Sequence, residues 1–162
     1  MSKIFLCVFS ILLFSLNSFL QAQTSPVYYI TNAFIFGALD GTKEGMKLED
    51  KYREIRRDPS SAKYNRAWHK YQFLSNASAI GLGFNIALYS YDEGEINWLK
   101  AALSTLLSGV IFYNTREIFM NVTRGRGVFD PPVLHNSGWE KVRFLRIPLI
   151  LVAVGLNLLL LE

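Results

Sequence analysis

Four apolar runs, Val27 to Leu39, Ser75 to Tyr91, Trp98 to Tyr113 and Ile147 to Leu161, are separated by segments crowded with charge. Runs of this length without period-two alternation fit helices rather than strands. The fold class they define is all-α: a small helical membrane or membrane-associated bundle. Capping and breaking residues set the helix limits. Ser25 followed by Pro26 starts a helix that continues through Lys43, Lys47 and Lys51 to Arg57, where Asp58 and Pro59 end it. A second helix begins near Ser61 and continues to Tyr91, the turn Asp92, Glu93, Gly94 follows, and a third helix covers Glu95 to Thr123. The second and third are expected to pair as a central helical hairpin. Residues 124 to 137, with Gly125, Gly127, Pro131 and Pro132, compose a loop.

Residues 1 to 22 are set apart as an export signal, or alternatively as a retained N-terminal anchor. Lys3 gives the positive start, Ile4 to Leu16 the apolar stretch, and Ala22 a small residue for cleavage, although Leu20 stands where another small residue is preferred. The only cysteine, Cys7, lies in this segment. Its removal would leave a chain without a disulfide, a cysteine-zinc site or a cysteine nucleophile. Residues 23 to 162 then make a single helical domain that closes with an apolar helix over 147 to 161. The net charge of +4 is too small and too dispersed to point to nucleic acid.

Charge placement carries more information than the sum. Nine Lys or Arg lie between residues 40 and 70 and six between 114 and 146, whereas Asp92 to Asn97 holds three acids and no base. This asymmetry has the sense of the positive-inside rule and puts both basic segments on the cytoplasmic side of a membrane. The competing reading of residues 40 to 70, which also carry six acids, is a solvated helix surface. The last run, interrupted only by Pro148, Gly155 and Asn157, is the best membrane candidate, with a location in the inner membrane, or at the periplasmic side of it, to match.

Two polar positions stand out. His69 lies at the root of one apolar run and Glu117 at the foot of the next, and an antiparallel hairpin brings them to the same level. A polar clamp of His69, Glu117 and Arg116 is the structural expectation; the functional alternative is a membrane-surface hydrolase or a metal-dependent enzyme using His69 and Glu117, with His135 as a further candidate. No metal or cofactor motif is present, since a lone His and Glu match none of the known ligand spacings. Small residues at four-residue spacing, Ser75, Ala79, Gly83 and Ala87 on one helix and Thr105 and Gly109 on the next, mark the expected helix packing seam.

These same residues carry a family resemblance over roughly residues 65 to 145. The order is Ala67, Trp68 and His69 at a helix start, a Ser- and Ala-rich apolar helix, Gly109, the pair Arg116 and Glu117, then Ser137, Gly138, Trp139 and Lys141. This resembles the YfiM-like family of small bacterial envelope proteins. The resemblance implies an exported envelope protein without a defined biochemical activity; the hairpin and the basic segments, read from the residues, are expected to contact the lipid bilayer or another envelope protein. Where that family carries an Asp a few residues after the basic-Glu pair, this chain has Met120 and Asn121, and further carboxylates of the last helix are replaced by Val142, Arg143 and Arg146.

Overall fold

A computed structural model describes residues 25–130 and 143–160, and the chain in these segments is mostly helical. Helix α1 covers Val27–Ile55, α2 Ser61–Tyr89, α3 Trp98–Thr123 and α4 Arg146–Leu160. A two-residue ribbon, β1 (Tyr91–Asp92) against β2 (Glu95–Ile96), joins α2 to α3. Glu93 and Gly94 form its turn with φ of 47° and 95°, the positive values at both central positions that a tight two-residue hairpin needs. Asn97 then caps α3, its side chain accepting the Lys100 backbone N–H at 3.0 Å, so one of the orphan donors of the first turn is satisfied. At the other end of α2, Asp58 accepts the Ser60 N–H at 2.8 Å and holds Arg53 at 2.9 Å. The reversal after α1 is thereby fixed.

The helices do not pack in chain order. Helix α1 lies against both α2 and α3, α4 rests on α3, and α2 and α3 touch each other at few points. The central hairpin expected from the sequence is therefore opened by α1. Its cause is a triplet of glycines on α1 spaced by four, Gly37, Gly41 and Gly45, all buried. A methyl group added at Gly37 would come 2.7 Å from the Phe112 carbonyl oxygen and 2.8 Å from Thr115 Cβ. One at Gly41 would collide with the carbonyl of Arg116, and one at Gly45 would meet Thr123 Cβ at 2.9 Å. Backbone thus approaches backbone along three turns, with the two helices running in the same direction, the kind of contact that small residues at this spacing permit.

The seam predicted on α2 and α3 is different in kind. Ser75 is buried, but Gly83 and Gly109 have no atom within 4 Å of an added methyl, and Ala87 and Thr105 are exposed. Spacing alone does not make a seam. The apolar core forms instead where α1, α2 and α3 meet α4, around Tyr29, Ala33, Ile86, Tyr89, Ile111 and Ala153. Tyr29 donates a hydrogen bond to Asn157 Oδ1 at 2.7 Å and sits 5.0 Å from the Tyr89 ring. This ties the end of α4 to the start of α1 and the end of α2.

Among the described residues no helix is long and apolar enough to cross a membrane. Helix α4, the stretch expected to be the best span, has 15 residues. At the usual rise that is roughly 22 Å.

Candidate functional site

Below the apolar core, every helix contributes to one ion network. Asp40 of α1 accepts from Lys43 Nζ at 2.5 Å, from Ser75 Oγ of α2 at 2.9 Å and from Arg116 Nε of α3 at 2.8 Å. Arg116 then donates through Nη1 to Glu117 Oε1 at 2.9 Å. The other oxygen of Glu117 faces Arg146 Nη2 of α4 at 3.7 Å, and Arg146 Nη1 donates to the Val128 carbonyl at 2.8 Å. Lys43 also meets Glu44 at 3.3 Å. One helical level further down, Glu49 joins Arg53 and Arg124 at 3.7 and 3.5 Å.

The arrangement follows from helix geometry. Gly41 allows α3 to come so close that Arg116 folds back along the α1 surface onto Asp40, one position before the glycine. Lys43 lies three residues on from Asp40, on the same face. The charges balance: Asp40, Glu44 and Glu117 against Lys43, Arg116 and Arg146. Burial pushes the Asp40 carboxyl up, but hydrogen bonds from Lys43, Arg116 and Ser75 and the Lys43 charge outweigh it, so the carboxyl is held below its ordinary value. For Lys43 burial acts downward, and Asp40 with Glu44 more than reverses it, raising the ammonium above the usual lysine value. Both groups are charged throughout the neutral range.

The network pairs buried and half-buried side chains across the helices. Its chemical capacity is to hold four helices in register, with a cost for any partner left alone. Glu117 does meet Arg116, as the sequence suggested, but the third member is Arg146. His69 is exposed on α2, its ring stacked on Trp68 at 3.7 Å, while Glu117 is buried among arginines. The structure does not bring His69 and Glu117 together, because α1 occupies the space between their helices. His135 lies outside the described residues, as do Ser137, Gly138, Trp139, Lys141 and residues 1 to 22. Among the described residues no group of three His, Cys, Asp or Glu side chains is placed to hold a metal ion.

Sequence reasoning missed Asp40, Lys43, Ser75 as a hydrogen-bond donor, and Arg146. The signal was present. An Asp followed at once by the middle glycine of a four-spaced triplet marks the closest helix contact, and a charge at such a contact requires a partner. Compared with protein-family models, with curated proteins and with solved structures, the chain matches none.

Proposed function

We propose that this chain is a membrane-embedded protein of the bacterial cell envelope with a structural or interaction role. The observation that carries this reading is a charge-free slab shared by all four helices. Above the Asp40 level no charged residue occurs in Val27 to Leu39, Ser75 to Tyr89, Ala101 to Thr115 or Ile147 to Leu160. Each stretch is roughly 20 Å long. The ion network bounds the slab on one side, and Lys100 with the Asp92, Glu93 and Glu95 ribbon bounds it on the other.

Within the slab, polar side chains are buried beside the apolar core while large apolar ones face outward. Ser75, Ser104, Ser108, Asn114, Thr115 and Asn157 are buried, whereas Phe73 at its edge, Ile80, Leu106, Leu151 and Leu159 are exposed, the last by 80%. So many large apolar side chains on the exterior are unfavourable in water. Lipid tails resolve it, and in lipid small and hydroxyl-bearing residues suit helix contacts. A 20 Å slab is shorter than a roughly 30 Å hydrocarbon layer, so the bilayer thins around it. The resemblance of the Trp68, His69 and Arg116, Glu117 segments to the YfiM-like proteins points to the same compartment.

Carbonate extraction of membranes from cells expressing the full chain tests the reading. Retention in the pellet and release only by detergent is the expected result. Release of most of the protein by carbonate overturns it.

A further inference from the structure

One exposed face of α2 changes character abruptly along its length. Lys63, Arg66, Lys70, Phe73, Ala77, Ile80, Phe84 and Ala87 follow one another at spacings of three and four and are all exposed, which places them on a single helical stripe. Its first three members are cations, and from Phe73 onward it is wholly apolar. No acid occurs between Pro59 and Tyr91. Lys63, Arg66 and Lys70 have no ion-pair partner among the described residues. Arg66 borders a shallow cleft with Asp50 and Glu54 of α1, so the two lysines carry the larger share of the uncompensated field.

Aromatic rings gather at the same height. Trp68 lies at this height on the opposite, α1-facing side of the helix, partly buried with Lys47 of α1 5.9 Å from its centroid, and Tyr64 carries Arg53 at 4.6 Å. From Lys63 to Lys70 the stripe rises roughly 10 Å, comparable with the headgroup layer of a bilayer. Cations beside Trp and Tyr at the end of an apolar helix are the composition of a membrane interface.

From this juxtaposition we propose that the first three turns of α2 are a binding face for the phosphate headgroups of anionic phospholipids, with Lys63, Arg66 and Lys70 as ligands and Phe73 at the headgroup boundary. The proposal rests on the membrane reading above and adds a lipid selectivity to it. The three cations lie outside the ion network, so their charge is available to lipid. Each cation near an anionic surface contributes about fivefold to binding, so the three together discriminate strongly against zwitterionic lipid.

The test uses the full chain in detergent with Trp68→Phe, Trp98→Phe and Trp139→Phe and with Phe73→Trp, at an exposed position of the stripe, as the only tryptophan. Its fluorescence is followed while phosphatidylglycerol or phosphatidylcholine of the same acyl chains is titrated into the micelles. Preference for phosphatidylglycerol by tenfold or more is expected, with loss of most of it in the Lys63→Gln, Arg66→Gln, Lys70→Gln variant at unchanged helical content. Equal response to both lipids overturns the proposal, as does full preference in the triple variant. Should soluble glycerol phosphate compete as well as phosphatidylglycerol, the face is a site for free anions and the lipid assignment is wrong. If variant and wild type both survive carbonate washing while the preference is absent, the lipid face fails and the membrane reading stands; release of the wild type by carbonate fails both.

Discussion

Asp40 and Arg116 are 76 residues apart in the chain and meet at 2.8 Å, with the Asp40 side chain 12% exposed. Their contact joins α1 to α3 at the level where the apolar half of the molecule gives way to the charged half. Removing the carboxylate leaves Lys43 and Arg116 facing each other and Ser75 without its acceptor. Asp40→Ala is expected to cost about 2–3 kcal/mol, somewhat less than a fully sealed pair because Arg116 keeps some access to solvent. Asp40→Asn, which still accepts hydrogen bonds, should cost less. Chemical denaturation in detergent with a helical signal measures both, and an Asp40→Ala variant as stable as wild type would remove the network from any structural role.

The acid and alkaline limits of stability follow from the same pair. Asp40 has a lowered value in the fold, so its contribution is complete above its ordinary 3.8 and is lost as pH falls through the folded value. Lys43 has a raised value, so its contribution is complete below 10.5 and is lost as pH rises through the folded value. A melting profile should therefore show a plateau between about pH 4 and 10.5 from these two groups. In Asp40→Asn the acid limb should flatten.

Glycine to alanine substitutions separate the real contact from the apparent one. Gly41→Ala drives a methyl into the Arg116 backbone, which cannot swing aside, and is expected to cost about 1–3 kcal/mol or more. Gly83→Ala and Gly109→Ala meet open space and should each stabilise by about 0.5–1 kcal/mol through helix propensity. Melting temperatures of the three variants decide it. A harmless Gly41→Ala together with damaging Gly83→Ala would restore the hairpin seam and displace α1.

Double-mutant cycles locate the partner of Glu117. The pair Glu117→Ala and Arg146→Ala should show a coupling of about 1 kcal/mol or more, because each leaves the other charge buried. His69→Ala and Glu117→Ala should be additive. Coupling in the second cycle and none in the first would mean that the helices are arranged differently.

In the proposed membrane setting, the placement of the basic residues sets a topology. With Cys7 replaced, single cysteines at Glu93, Ser61 and Val128 should react with an impermeant reagent from outside only at Glu93. External labelling at Ser61 and Val128 would reverse the orientation.

The helix limits were legible because the signals are local. Pro26, the Asp58 and Pro59 break and the Glu93 and Gly94 turn act within a few residues, and α1, α2 and α3 end within a few residues of the expected positions, although the cap at Asn97 starts α3 three residues later than Glu95. Which helices touch was not legible in the same way. Gly37, Gly41 and Gly45 carry the same four-residue spacing as Ser75, Ala79, Gly83 and Ala87, and their surroundings depend on residues some 75 positions away. The network had the same difficulty. Arg146 attracted notice only as the replacement of a carboxylate, yet it supplies the charge that Glu117 requires.

The glycine contact between α1 and α3 also sets an order of events during synthesis. Helix α1 is made first, and its Asp40 has no Arg116 to meet until the third helix has left the ribosome. At about 5–20 residues per second, the separation of 76 residues takes about 4 to 15 s to synthesise. Throughout that interval the nascent chain holds a half-neutralised acidic group, flanked by bare glycine backbone, with Lys43 as its one local companion. The native pairing is thus assembled late and out of sequence, after α2 has already emerged beside α1.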